Sequence, residues 1–212
     1  MEEDSLSTKT GDRVMAKLYF RYGAMGSSKT LNLLAVAHNY RQQGKKVLLM
    51  KPDFDIRFGK ERIMSRAGLE MQADILISSE ESLRGIDYTG ISCILVDEAQ
   101  FLTAKAIEEL RMISLKWDIP VICYGLRTDF KSYLFEGSAR LMELSDSVEE
   151  VKSTCHYCNR KSTMNLKLID GIAVNEGATI ELGAEEKYFP TCYRCYCREI
   201  DRGIALRLAA LQ

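Results

Sequence analysis

The spacing of apolar and polar residues changes several times along the chain, and each change predicts an element. AKLYFRYG, residues 16–23, reads as a strand that ends at a glycine. In TLNLLAVAHNYRQQG the apolar side chains Leu31, Leu34, Ala35, Val36 and Ala37 are too dense for a half-exposed helix, so a mostly buried helix is expected. KKVLLMKP supplies a second strand, and a strand, helix and strand joined this tightly form a right-handed parallel unit. ADILI, SCILVDE and IPVICYG add three short strands. Thr103 is placed to cap the helix AKAIEELRMISLKW, whose Ile107, Leu110, Ile113 and Trp117 recur at helical spacing and turn toward the sheet. After about residue 148 the texture shifts to alternating segments such as STMNLKLID, punctuated by glycines and flanked by cysteine pairs. The expected division is therefore an aperiodic, disordered lead-in over 1–15, an α/β domain over 16–147, a smaller unit over 148–197 and a weakly amphipathic tail over 198–212.

Composition narrows the class without fixing the chemistry. With 212 residues, 46% of them hydrophobic, the chain is long enough for one medium domain and a small appendage. A formal net charge of -1 gives no bulk attraction to a polyanion, so no nucleic-acid partner is expected. The opening MEEDSLSTKTGDR lacks an apolar leader, and no apolar run approaches the roughly 18 residues of a membrane span, which points to a cytoplasmic protein with no membrane partner. In that setting the seven cysteines read better as metal ligands than as disulfides.

Three constellations carry candidate chemistry. GAMGSSKT, residues 23–30, sits between a strand and a helix as a phosphate-binding loop does, with Ser28 where the usual pattern has glycine. Successive backbone amides through Gly23, Ala24, Met25, Gly26, Ser27 and Ser28 would form an anion nest; Lys29 would reach the β- and γ-phosphates and the Thr30 hydroxyl would sit on Mg²⁺. Ser28 is accommodated there if its backbone is right-handed, whereas a left-handed conformation would penalise its side chain. ISCILVDEAQF drives a buried strand into Asp97, expected on Mg²⁺, and Glu98, expected to take a proton from the attacking group. Finally CHYC and CYRC present Cys155, Cys158, Cys192 and Cys195, a four-thiolate set suited to structural zinc, with Cys197 and His156 as possible substitutes. Cys93 and Cys123 lie in apolar strands and read as small core residues.

Taken together, YGAMGSSKT, VDEAQF, CYGLRTDF, the two C-x-x-C pairs and NEGATIELGAEEKYFPTC resemble the type II, cellular-type thymidine kinases over about residues 16–197. The resemblance implies a RecA-like P-loop parallel sheet with a small zinc-binding C-terminal subdomain, whose lasso loop, about residues 166–188 here, closes over thymine. It implies transfer of the γ-phosphoryl of ATP to the 5′-hydroxyl of thymidine, with deoxyuridine as a second acceptor, in nucleotide salvage. Glu98 matches the general base; DFDIRFG matches an Asp-x-Arg motif that puts Asp55 near the acceptor hydroxyl or metal and Arg57 near the transferred group. Met25, Phe101, Leu126, Phe130, Asn165 and Tyr188 match residues around the base, and a homotetramer is implied. The competing reading, a RecA-like ATPase gripping nucleic acid with its zinc element, predicts interleaved basic and aromatic residues. The zinc segment carries Glu149, Glu150, Glu176, Glu181, Glu185 and Glu186 instead.

Overall fold

The computed structural model describes residues 15–177, 179 and 187–209; the lead-in assigned to 1–15 thus lies, but for Met15, outside the described residues. In chain order the elements are β1 (Leu18–Tyr22), α1 (Lys29–Gln42), β2 (Lys46–Pro52), a hairpin of β3 (Arg62–Met64) and β4 (Glu70–Gln72), β5 (Ile75–Ile77) and β6 (Ile91–Val96). Then come α2 (Ala104–Trp117), β7 (Val121–Gly125), α3 (Glu136–Leu144), β8 (Ser147–Glu150), β9 (Met164–Ile169), β10 (Ile172–Val174), β11 (Tyr188–Thr191) and α4 (Tyr193–Ala209).

Six strands form one sheet in the order β5-β2-β6-β7-β1-β8, and every pairing within it is parallel. Burial on both faces explains why β6 is apolar without alternation. Its Ile94 and Val96 pack with Ile107, Leu110 and Ile113 of α2 on one face. Cys93 and Leu95 pack with Leu33, Leu34 and Ala37 of α1 on the other. Thr103 caps α2 as expected, its side chain accepting from the Ala106 N–H. Trp117 packs half-buried at the core's margin, edge-on to Tyr88.

Two expectations change. Helix α1 is not mostly buried: Ala35 is exposed, and Leu31 and Val36 are half-buried. It covers one face of the sheet and its far side is open, so the extra apolar residues serve helix propensity more than burial. The expected division at 147/148 falls inside β8, which pairs with β1 as an edge strand of the large sheet. Nor does α4 stop at 197; Tyr196 and Ile200 pack on Met164, Leu166 and Ala173 to form the small unit's own core, beneath the antiparallel sheet β10-β9-β11.

Because the large sheet is parallel, the carboxyl ends of its strands meet at one edge, where open α/β sheets bind ligands. β1 ends in the glycine-rich loop, β2 leads to Asp55 and Arg57, β6 ends at Asp97 and β7 ends at Leu126. β7 stands between the strand bearing the loop and the strand bearing the acids.

Candidate active site

One cavity at that edge is lined by Met25, Gly26, Ser27, Ser28, Lys29 and Thr30, by Asp55 and Arg57, and by Asp97 and Glu98. Phe101, Leu126, Phe130, Asn165 and Tyr188 complete the expected set in the same cavity. Gly23 and Ala24 lie behind the loop and act through their carbonyls: Lys29 Nζ donates to Gly23 O at 3.0 Å and Ala24 O at 2.9 Å. Lys29 is buried, and desolvation draws it down to about 8, with Glu98 and Asp97 working in the opposite direction.

Ser28 does not adopt the right-handed backbone that would suit it. Its φ of 65° and ψ of 25° are left-handed, a conformation costing a side-chain-bearing residue roughly 1–2 kcal/mol. The turn from loop into helix demands that conformation whichever residue stands there, and the first helical bond, Asn32 N–H to Ser28 O at 2.9 Å, depends on it.

The two acids occupy different electrostatic settings. Asp97 accepts from the Thr30 hydroxyl at 3.1 Å. Burial, reinforced by the Glu98 charge, pushes its carboxyl up to about 7. Burial acts against the Glu98 charge as well, but the Arg57 guanidinium, with Lys29 and Gln100, holds that carboxyl below the usual range. Arg57 Nη2 reaches Glu98 Oε1 at 2.6 Å and Gln100 Nε2 reaches Oε2 at 2.5 Å. Arg57 is itself held by Asp55, Nε to Oδ1 at 2.6 Å, and Asp55 is held from behind by buried Lys51 at 3.3 Å. A chain of paired charges thus runs from β2 to the end of β6, and Glu98 keeps one oxygen on each partner. Its backbone is also left-handed, φ 50°, which swings the chain from β6 into the 3-10 turn Ala99–Phe101.

Aromatic packing shapes the other wall. Phe101 meets Phe54 and Phe135 edge-on, with centroids 5.4 and 5.5 Å apart, and Phe130 meets Tyr188 at 6.0 Å. Asn165, on β9 of the small unit, is 4% exposed and has both amide ends engaged. Its Oδ1 accepts from the Met25 N–H at 2.8 Å and its Nδ2 donates to Thr128 O at 3.0 Å, tying the phosphate loop to the segment that carries Phe130. Tyr196 of α4 donates to Phe130 O at 2.6 Å, a second tie between the small unit and this wall. Of the loop expected to close over the base, residues 178 and 180–186 lie outside the described residues.

The cysteines gather elsewhere in the small unit, off the cavity wall. The Sγ atoms of Cys155, Cys158, Cys192 and Cys195 all lie within 4.8 Å of one another, with Cys158 to Cys192 at 3.7 Å and Cys195 to Cys158 at 3.8 Å. Four sulfurs about 2.3 Å from one tetrahedral zinc stand about 3.8 Å apart, so the set fits that ion. Burial disfavours a thiolate at Cys155, yet backbone N–H groups of Cys192, Tyr157 and Cys158 bring it down to about 7. Burial and its sulfur neighbours push Cys195 up to about 12. His156 packs its ring on Tyr157 and Phe189, and neither it nor Cys197 belongs to the cluster.

A family profile described as thymidine kinase matches residues 16–196. The chain belongs to the thymidine kinase family. A thymidine kinase of Lactococcus lactis subsp. lactis is 41% identical over 187 residues, 86% of this chain and 97% of that protein. Thymidine kinases of Chromobacterium violaceum and Enterococcus faecalis are each 44% identical, over 183 and 186 residues, 86% of this chain, and 98% and 95% of those proteins. A crystal structure of Pif1 helicase from Candida albicans aligns with 65% of this chain and 36% of that one at 12% identity and a TM-score of 0.41, too loose a likeness to bear on function.

Within this thymidine kinase scaffold, sequence reasoning missed Gln100. It is 1% exposed, and besides donating to Glu98 it accepts from the Leu126 N–H at 2.9 Å, so it braces the acid at the end of β6 against the residue that follows β7. Gly125 permits this: a Cβ there would stand 2.6 Å from Gln100 Oε1. A glutamine placed two residues after a strand-end acid, among apolar neighbours, was the available signal. Also missed was the β3–β4 hairpin, whose Met64, Ser65, Arg66 and Ala67 line the cavity opposite the loop.

Proposed function

We propose that this chain is an ATP-dependent thymidine kinase that transfers the γ-phosphoryl group to the 5′-hydroxyl of thymidine. The observation that carries the reading is the convergence of Lys29, Asp97 and Glu98 with an aromatic wall on one cavity, in a chain of this family.

Glu98 would accept the hydrogen of the acceptor hydroxyl. Its charge is secured by Arg57 and Gln100, one to each oxygen, which leaves a lone pair on each to orient the nucleophile. A carboxylate held this low is a weak base; in phosphoryl transfer through a loose transition state, aligning the nucleophile matters more than basicity. Loop amides and Lys29 would seat the polyphosphate, and Arg57 stands where it can turn from Glu98 toward the transferred group. Thr30 and Asp97 would hold Mg²⁺, which when bound supplies neutralisation of the β- and γ-phosphate oxygens. Their fit rests on chemistry already described: a hydroxyl beside a buried carboxyl whose ionisation awaits a cation.

Met25, Phe101, Leu126, Phe130 and Tyr188 would enclose the base, and apolar walls suit its methyl group. A cytosine amine presented to a backbone donor would leave buried polar groups unpaired, a larger penalty than a missing methyl contact. Zinc on the four cysteines would fix the base of the loop over the nucleoside, and a closed four-thiolate site leaves it no catalytic position. We read the enzyme as cytoplasmic and homotetrameric, following its family resemblance; no described helix is long and apolar enough to cross a membrane.

The test is ADP release with ATP and Mg²⁺ alone, with added thymidine and with added single-stranded DNA. Release coupled to thymidine monophosphate, only when thymidine is present, is the expected result. Stimulation by DNA alone would overturn the reading.

A further inference from the structure

Two of the bonds that tie the small unit to the cavity end on different parts of it. Asn165 accepts from the Met25 N–H and donates to Thr128 O, so it reaches the phosphate loop. The phenol of Tyr196 donates to Phe130 O at 2.6 Å, so it reaches the aromatic lining. Tyr196 is 7% exposed and stands behind the residues that line the cavity, of which Phe130 is one. Whatever it does for a substrate, it does through Phe130.

The phenol is aimed from a firm base. Tyr196 follows Cys195 directly, and its N–H donates to Cys192 O at 2.9 Å, the bond that opens α4. Its ring packs with Met164, Leu166 and Ile200 in the small unit's core. Backbone, ring and hydroxyl are therefore each engaged, and the four-cysteine set brackets the residue.

The receiving end has no ladder to hold it. Phe130 lies in a turn: the Ser132 N–H donates to Asp129 O at 3.3 Å, Asp129 Oδ1 accepts from the N–H groups of Lys131 and Tyr133, and Ser132 is left-handed at φ 70°. A buried carbonyl outside regular structure has to find its donor on a side chain or water, and for Phe130 Tyr196 supplies one. Phe130 is 1% exposed and meets Tyr188 edge-on, so a carbonyl that slips carries that ring pair with it.

We propose that Tyr196 is a positioning residue for the nucleoside, its hydroxyl fixing the Phe130 backbone, and through it the aromatic lining, from the small unit. This rests on the kinase reading above, in which Phe130 encloses the base, and adds to it a residue that touches no substrate. The Asn165 bonds to the phosphate loop are separate, so the effect falls on the nucleoside and spares the nucleotide.

The experiment uses the full zinc-loaded chain and compares wild type with Tyr196→Phe, which keeps the ring and removes the donor, and with Tyr196→4-aminophenylalanine, which restores an N–H donor. Zinc content and melting temperature are read first. Each substrate is then varied at saturating levels of the other, and thymidine binding is measured by calorimetry without ATP. Tyr196→Phe is expected to raise both KM and Kd for thymidine about three- to thirtyfold, the effect of a buried carbonyl left without its donor. Zinc content, kcat and the KM for ATP stay near wild type, the pattern of lost binding without lost chemistry. The aminophenyl variant recovers most of the loss. Unchanged KM and Kd for thymidine in Tyr196→Phe overturn the proposal, whatever the melting temperature does, as does an equal loss for ATP or a loss that the restored donor leaves in place. A wild type active on thymidine beside an unaffected Tyr196→Phe removes this proposal alone; a wild type that neither binds nor phosphorylates thymidine removes the kinase reading with it.

Discussion

Two clusters of ionisable side chains stand in this molecule, and they solve the problem of crowded charge in opposite ways. At the edge of the large sheet, Lys51, Asp55, Arg57 and Glu98 neutralise one another by direct bonds and Gln100 donates to Glu98, so this part of the site is held by the chain's own groups. In the small unit, four sulfurs face one another, all within 4.8 Å. The first cluster is held by its own pairings; the second is a four-thiolate set of the kind a single cation neutralises. Asp97 belongs with the second kind although it sits beside the first, since among the described residues its side chain is held by the Thr30 hydroxyl.

The sharpest way to break the contrast is to remove metal. Stripping zinc with a chelator, or replacing Cys192 by Ser, should unfold the small unit and abolish thymidine phosphorylation, because binding energy in such sites is folding energy. Protease mapping should find new cuts confined to about 152–209, while binding of a fluorescent ATP analogue weakens but persists. Retained turnover in verified zinc-free protein would show that the cysteines do not need the cation.

Breaking the self-neutralised cluster should act on rate and spare the fold. Glu98→Gln keeps the shape and one acceptor and should cut kcat by about 10²–10⁴-fold, measured by steady-state assay with a melting temperature near wild type. Unchanged turnover would remove the proton-accepting role.

Acidity sharpens the comparison further. Asp97, raised to about 7 in the folded chain, binds its proton more tightly folded than unfolded, where a value of about 4 is ordinary. Its contribution to stability is complete below about 4 and is lost as pH rises through about 7. In zinc-loaded protein without Mg²⁺ or nucleotide, thermal stability should therefore fall between those limits, and Asp97→Asn should flatten the slope. Asp55 and Glu98, both held low, contribute the reverse, stability lost only as pH drops through their folded values, below the ordinary range. The smallest effect is local: Ser28→Gly should stabilise the protein by about 0.5–1 kcal/mol in urea unfolding, relief of left-handed strain less the entropy of glycine.

The reason some of this was legible in the sequence is that it is written in short, contiguous patterns. An apolar run ending in two acids announces a central strand and its mouth; a glycine-rich loop before a lysine announces an anion nest; two C-x-x-C pairs announce a metal. What escaped was set by distance in sequence. Gln100 takes its role through Leu126, a contact spanning 26 residues that no local pattern encodes, whereas Asn165 and Arg57, reached through resemblance alone, are held by Met25, Thr128 and Glu98 across 37 to 140 residues. β8 was missed for a different reason: SVEE lies at the sheet's edge, half-buried to exposed, and carries no apolar signature. α1 misled because a dense apolar sequence does not say how many of its sides will be covered.

The grip of Lys29 on the carbonyls of Gly23 and Ala24 has a consequence for how tightly the empty protein can hold its nucleotide. That ammonium is already satisfied, so an incoming phosphate competes with the chain for it, and part of the attraction is consumed in an exchange of partners. The resting loop is in effect occupied by its own backbone, which tempers ground-state affinity and keeps a buried cation from standing bare between turnovers.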